Sequence, residues 1–126
     1  MPVISHVSVG SNDMKRAKPF YDAVLATLGY KCLGDYGETA GYGTEFPEFW
    51  VGQPHDGGKA APGNGTHICF NAQRREQVDN FHAKALELGG ADDGKPGLRP
   101  EYTPDYYAAF VRDPDGNKIE AVCFVK

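Results

Sequence analysis

The chain has 126 residues, 24% of them charged, and a formal net charge of -4. That length can build one modest core and argues against two independent ones, while the acidic balance disfavours nucleic acid or acidic membrane surfaces as general partners. No apolar run approaches a membrane span and the N-terminus has no basic-then-apolar leader pattern, so a soluble, cytoplasmic protein is the expectation.

Val3 to Val9 alternates as a strand, with Val7 and Val9 on one face and His6 and Ser8 on the other. Ser11-Asn12-Asp13 offers helix caps, and Ala17, Phe20, Tyr21, Val24, Leu25 and Leu28 form a helical stripe that Gly29 ends, giving a helix over about 13–28. Pro19 predicts a loose or kinked first turn. Strands are expected at Tyr30–Tyr36, Ala40–Gly43 and Glu48–Val51, followed by a Gly/Pro-rich loop from Gln53 to Gly65 in which His55 is solvated. Thr66–Phe70 reads as a strand with His67 and Cys69 opposite Ile68 and Phe70.

A second helix, about 73–88, carries Val78, Phe81, Ala85 and Leu86 inward, with His82 as a packing or surface residue. Asp92 to Pro104 reads as a loop or a poor edge strand. The chain then closes with a hairpin: Tyr107–Val111, the turn Asp113-Pro114-Asp115-Gly116, and Ile119–Val125. Cys32, Cys69 and Cys123 are odd in number, lack a CxxC spacing and sit in apolar strand contexts, so they read as reduced, buried thiols.

The two halves repeat. Laying His6 on His67 also lays Val7 on Ile68, Phe20 on Phe81, Leu25 on Leu86 and Gly29 on Gly90. Identities are few, but the order strand, helix, glycine stop, strands recurs. The expected architecture is α+β: one domain over 1–126 built from two βαβββ modules, about 1–55 and about 64–126. Together they would make one curved half-barrel sheet with helices on its convex face.

Glu120 is a lone carboxylate in an apolar strand and needs a partner, because burying it alone costs several kcal/mol. His6 and His67 are repeat-equivalent and point away from the helix faces. Two neutral imidazoles and a carboxylate suit a divalent transition metal with open coordination positions. Either histidine alone would read as a half-buried polar strand residue. Arg99, Tyr102, Tyr106 and Tyr107 cluster in and after the second-half loop. They read either as cavity lining, with Arg99 holding an anionic group and a tyrosine hydroxyl acting as acid, or as aromatic anchors of a surface loop. Gly63-Asn64-Gly65 lacks the lysine and following helix of a phosphate loop.

The chain resembles the vicinal oxygen chelate superfamily: glyoxalase I, extradiol dioxygenases, fosfomycin-resistance proteins and bleomycin-binding proteins. Ile4-Ser5-His6-Val7-Ser8-Val9, Phe20-Tyr21, Leu28-Gly29, Gly65-Thr66-His67-Ile68 and Asp113 through Glu120 carry the resemblance. It implies a divalent metal (Zn, Ni, Mn, Fe or Co) on His6, His67 and Glu120, and a homodimer. The glyoxalase I pattern adds a fourth ligand, for which the residue here is Glu48, unless a two-residue shift places Trp50 there and leaves three ligands. Glu120 and Tyr102 are the catalytic candidates, and Trp50, Arg99, Tyr102 and Tyr107 the pocket candidates. The implied activity is metal-dependent chemistry on a small oxygenated molecule, glyoxalase-like lyase or isomerase first and dioxygenase or thiol transferase next. The alternative is a non-catalytic drug-binding or sequestration protein.

Overall fold

A computed structural model describes residues 2–126. In chain order the elements are β1 (Val7–Gly10), α1 (Met14–Ala26), β2 (Lys31–Asp35), β3 (Thr39–Gly43), β4 (Pro47–Gly52), β5 (His67–Asn71), α2 (Arg75–Glu87), β6 (Ala91–Leu98), β7 (Tyr107–Arg112) and β8 (Lys118–Cys123). The strands form two four-stranded sheets, ordered β1-β4-β3-β2 and β5-β8-β7-β6. This is the expected pair of βαβββ modules, with ladder hydrogen bonding kept inside each module. In both, the first and last strands pair in parallel and the rest are antiparallel.

Each helix covers one face of its own sheet. Asp13 caps α1 by accepting from the Lys15 amide, and Ala17, Phe20, Tyr21, Val24 and Leu25 are buried. The helix runs on through Pro19. α2 buries Gln77, Val78, Phe81, His82 and Ala85, and leaves the expected core residue Leu86 40% exposed. Both helices and both sheets contribute to one buried cluster that includes Phe20, Tyr21, Phe49, Phe81, Val111 and Ile119.

The Asp113–Asn117 turn joins the modules. Gly116 adopts φ +90, which favours glycine. Asp113 accepts from the Asp115 and Asn117 amides, from Asn117 Nδ2 and from the Tyr21 hydroxyl of α1. Asn117 Nδ2 also donates to the Gly10 carbonyl at the end of β1, 2.9 Å away. Asp115 accepts from the Asn12 amide, and Arg16 reaches the Pro114 carbonyl. Burial pushes the Asp113 carboxyl above the usual carboxylate range, with the Tyr21 and Asn117 hydrogen bonds working against that.

Two local expectations change, and one open alternative resolves to an edge strand. β1 begins at Val7, and Val3 and Ile4 are exposed without a strand partner. Residues 91–98 do form a strand, with bulges between Asp92 and Gly94 and between Gly94 and Gly97; at the sheet edge Pro96 breaks no ladder. The cysteines are free, but Cys69 is exposed rather than buried because β5 is an edge strand.

Asp113→Ala removes four donors' common acceptor and is expected to lower stability by about 3 kcal/mol, with Tyr21→Phe costing about 1–2 kcal/mol. Urea unfolding at constant m-value measures both. A loss below about 0.5 kcal/mol for Asp113→Ala would show that the turn does not hold the modules together.

Candidate metal centre

Alternation along β5 and β8 decides which side chains meet. Ile68, Phe70, Ile119, Ala121 and Cys123 belong to the core, so His67, Cys69, Lys118 and Glu120 share the sheet face turned away from α2. The register sets Cys69 beside Glu120, and Glu120 beside Phe110. His67 Nε2 lies 2.6 Å from Glu120 Oε1, and the Tyr106 hydroxyl donates to Glu120 Oε2 at 2.5 Å.

Glu120 is 1% exposed, whereas the His67 side chain is 40% exposed. A buried carboxylate with both oxygens engaged avoids most of the penalty of an isolated charge. Burial and the bond to Glu120 push the Tyr106 hydroxyl above the usual tyrosine range, which keeps it a donor. Cys69 is exposed at its edge strand, yet the dry surroundings of its sulfur and the Glu120 carboxylate push the thiol up. A protonated thiol is a poor metal ligand or nucleophile.

Aromatic and cationic groups surround the pair. The Phe110 ring is 6.0 Å from the His67 ring, with the Arg99 guanidinium 5.6 Å and the Lys118 ammonium 5.1 Å from its centroid. Arg99 donates to the Gly97 and Lys95 carbonyls, which fixes its plane. Tyr102 is exposed and meets Tyr106 edge-on at 5.0 Å. Tyr107 points the other way. Its hydroxyl donates to Asp79 of α2 at 2.6 Å and Arg75 lies over its ring. The aromatic neighbours of the His67–Glu120 pair are therefore Tyr106 and Phe110 rather than Tyr107, a one-residue change of face. Phe110 escaped the sequence reading, although its alternation with Ala109 and Val111 carries the signal.

The first module is arranged differently. Val7 pairs with Phe49 and Ser8 with Trp50, as Ile68 pairs with Ile119 and Cys69 with Glu120. Trp50, not Glu48, therefore occupies the position equivalent to Glu120. Its indole stacks on Tyr36 at 6.1 Å, and a Cβ on Gly41 would come within 2.8 Å of it, so that strand position needs glycine. Trp50 lines a cleft of about 450 Å³ with Ser8, His55 and Lys59.

Glu48 is exposed, and its charge, after burial, helps push the Tyr30 hydroxyl up. It lines a cleft of about 370 Å³ together with Ser5, His67, Cys69 and Asn71. His6 is exposed at the β1 edge, its Nδ1 3.1 Å from Ser5 Oγ. Among the described residues no three His, Cys, Asp or Glu side chains converge as a metal site. The donor set of one chain thus matches a divalent ion in two positions, His67 and Glu120, and lacks a third.

The Glyoxalase/Bleomycin resistance protein/Dioxygenase superfamily profile matches residues 3–121. A glyoxalase/bleomycin resistance protein from Albidiferax ferrireducens T118 is 40% identical, with a TM-score of 0.90 over 97% of this chain and 99% of that one. Below that level the likeness is of fold. A glyoxalase-related enzyme from Fulvimarina pelagi is 18% identical, with a TM-score of 0.75 over 98% and 88% of the two chains. A lactoylglutathione lyase from Agrobacterium tumefaciens is 20% identical, with a TM-score of 0.66 over 98% and 94%. No curated protein sequence matches this chain. With a profile spanning nearly all of its modules and a whole-length relative of the same architecture, the chain belongs to the glyoxalase/bleomycin resistance protein/dioxygenase superfamily.

Proposed function

We propose that the protein is a metal-dependent enzyme in which His67 and Glu120 of one copy and His6 of a second copy hold one divalent ion. The observation that carries this reading is the His67–Glu120 pair, a 2.6 Å contact between an accessible imidazole and a fully buried carboxylate. The sequence repeat marks His6 as its counterpart, and the fold leaves His6 on an unpaired edge beside exposed Val3 and Ile4. An apolar stretch of that kind next to a free strand edge suits contact with another chain. A two-fold dimer would then complete two equivalent sites.

A bound divalent ion would supply Lewis acidity toward a substrate presenting two adjacent oxygens. The residues present have their own roles. Tyr106 holds the Glu120 carboxylate in one orientation and keeps a proton on its own oxygen. Phe110 shields one side of the His67 ring. Arg99 places positive charge over Phe110 where an anionic group can approach, and Tyr102 is exposed against the Tyr106 ring. Trp50 in the position equivalent to Glu120 supports a three-ligand site rather than the four-ligand glyoxalase I arrangement, so Glu48 drops out of the proposed ligand set. That favours dioxygenase-like or transferase-like chemistry over the lyase reading.

Elemental analysis of protein purified without chelator should find a divalent transition metal, and His67→Ala, Glu120→Gln and His6→Ala should each lose it. Metal retained equally by all three would sink the site. Sharing between chains has its own readout. Co-assembly of His6→Ala with Glu120→Gln should restore one intact site per mixed dimer, whereas ligands drawn from a single chain would give no recovery. Assay of zinc-, nickel-, manganese- and iron-loaded protein against catechols, thiol adducts of methylglyoxal and fosfomycin separates the chemistries. Tight binding without turnover under every metal would identify a sequestration protein instead.

A further inference from the structure

The face that carries Glu120 has a second cross-strand row. His67 on β5 lies opposite Lys118 on β8, and Lys118 lies opposite Arg112 on β7. In a chain with a net charge of -4, this row concentrates cations. Arg112 Nε is 3.0 Å and Lys118 Nζ 3.5 Å from the same oxygen of Asp93, so two positive charges share one carboxylate. Arg112 Nη1 also donates to the Gly116 carbonyl at 3.1 Å, which sets the plane of the guanidinium. Both cationic side chains remain partly exposed, at 42% for Arg112 and 32% for Lys118. Beside them is a cleft of about 270 Å³ lined by Asn64, Gly65, Thr66, His67, Arg112 and Lys118.

We propose that this cleft is an oxyanion subsite, taking a carboxylate or phosphonate group of a small ligand next to the His67–Glu120 pair. An oriented guanidinium, a partly exposed ammonium and the short polar residues Asn64 and Thr66 make a donor-rich wall suited to tetrahedral or planar oxyanions. Among the described residues Asp93 is the one carboxylate within ion-pair reach of Arg112 and Lys118, and the Glu120 carboxylate is turned to His67 and Tyr106, so the donors facing the cleft favour an anion over a neutral hydroxyl compound. The volume is enough for such a group together with part of a small ligand, and His67 lines the same cleft. Identifying this ligand as the substrate rests on the metal-enzyme reading; the anion site itself does not.

Amide NMR titrations of apo and zinc-loaded protein with phosphonoacetate and with catechol test it. Phosphonoacetate should shift the amides of Thr66, Arg112 and Lys118 in both forms. Lys118→Gln should weaken that binding about tenfold or more. Arg112→Lys should weaken it less than Arg112→Gln. Equal phosphonoacetate affinity in wild type and Lys118→Gln, or shifts mapping away from Thr66 and Lys118, would overturn the subsite. The two readings fail separately. Protein that holds no zinc but binds phosphonoacetate at Thr66 and Lys118 keeps the subsite and loses the metal centre. Zinc-loaded protein that binds catechol and ignores phosphonoacetate does the reverse.

Discussion

The Asp113 carboxylate sits where the two modules meet, and its four hydrogen bonds reach in both directions. Within its own turn it orders the backbone that starts β8. Across the module boundary it receives the Tyr21 hydroxyl from the centre of α1, while Asn117 ties the same turn to the end of β1. A buried carboxylate is tolerated only when its lone pairs are filled, so turn, helix and strand must be in place together. The Asp-Pro-Asp-Gly stretch is therefore a structural joint before it is anything else.

That joint also sets the site. β8 leaves the turn at Lys118, and its register against β5 and β7 then brings Glu120 beside Cys69 and Phe110, in reach of His67 and Tyr106. A slip of one residue would send Ile119 to the open face and Glu120 into the apolar core. The core contacts of Ile119, Ala121 and Cys123 oppose that slip. Packing on one face of the strand thus positions the chemistry on the other.

The two modules differ in what that shared position carries. The second module keeps a carboxylate and a histidine; the first keeps His6 but has Trp50 where the carboxylate would be, stacked on Tyr36 over Gly41. One module offers charge and the other an aromatic wall. Within one chain the two positions lie by different clefts, Trp50 beside His55 and Lys59 and His67 beside Glu48 and Cys69.

Much of this could be read from residues alone, wherever the governing interactions are local. Alternation in Thr66–Phe70 put His67 opposite the core-facing residues, helical spacing found both helices, and Asp-Pro-Asp-Gly announced its own turn, because each depends on geometry within a few residues. The isolated Glu120 flagged a partner for the same reason: an apolar strand cannot bury a lone charge. The remaining features depend on which distant strands lie side by side. Parallel registers decided that Trp50 rather than Glu48 matches Glu120, and β7 pairing placed Tyr106 and Phe110 on the open face and Tyr107 against α2. The contact of Tyr21 with Asp113 joins residues 92 positions apart, and the separation of His6 from the His67–Glu120 pair follows from how the modules pack. Non-local register is set by the summed fit of a whole core, and no single segment encodes it.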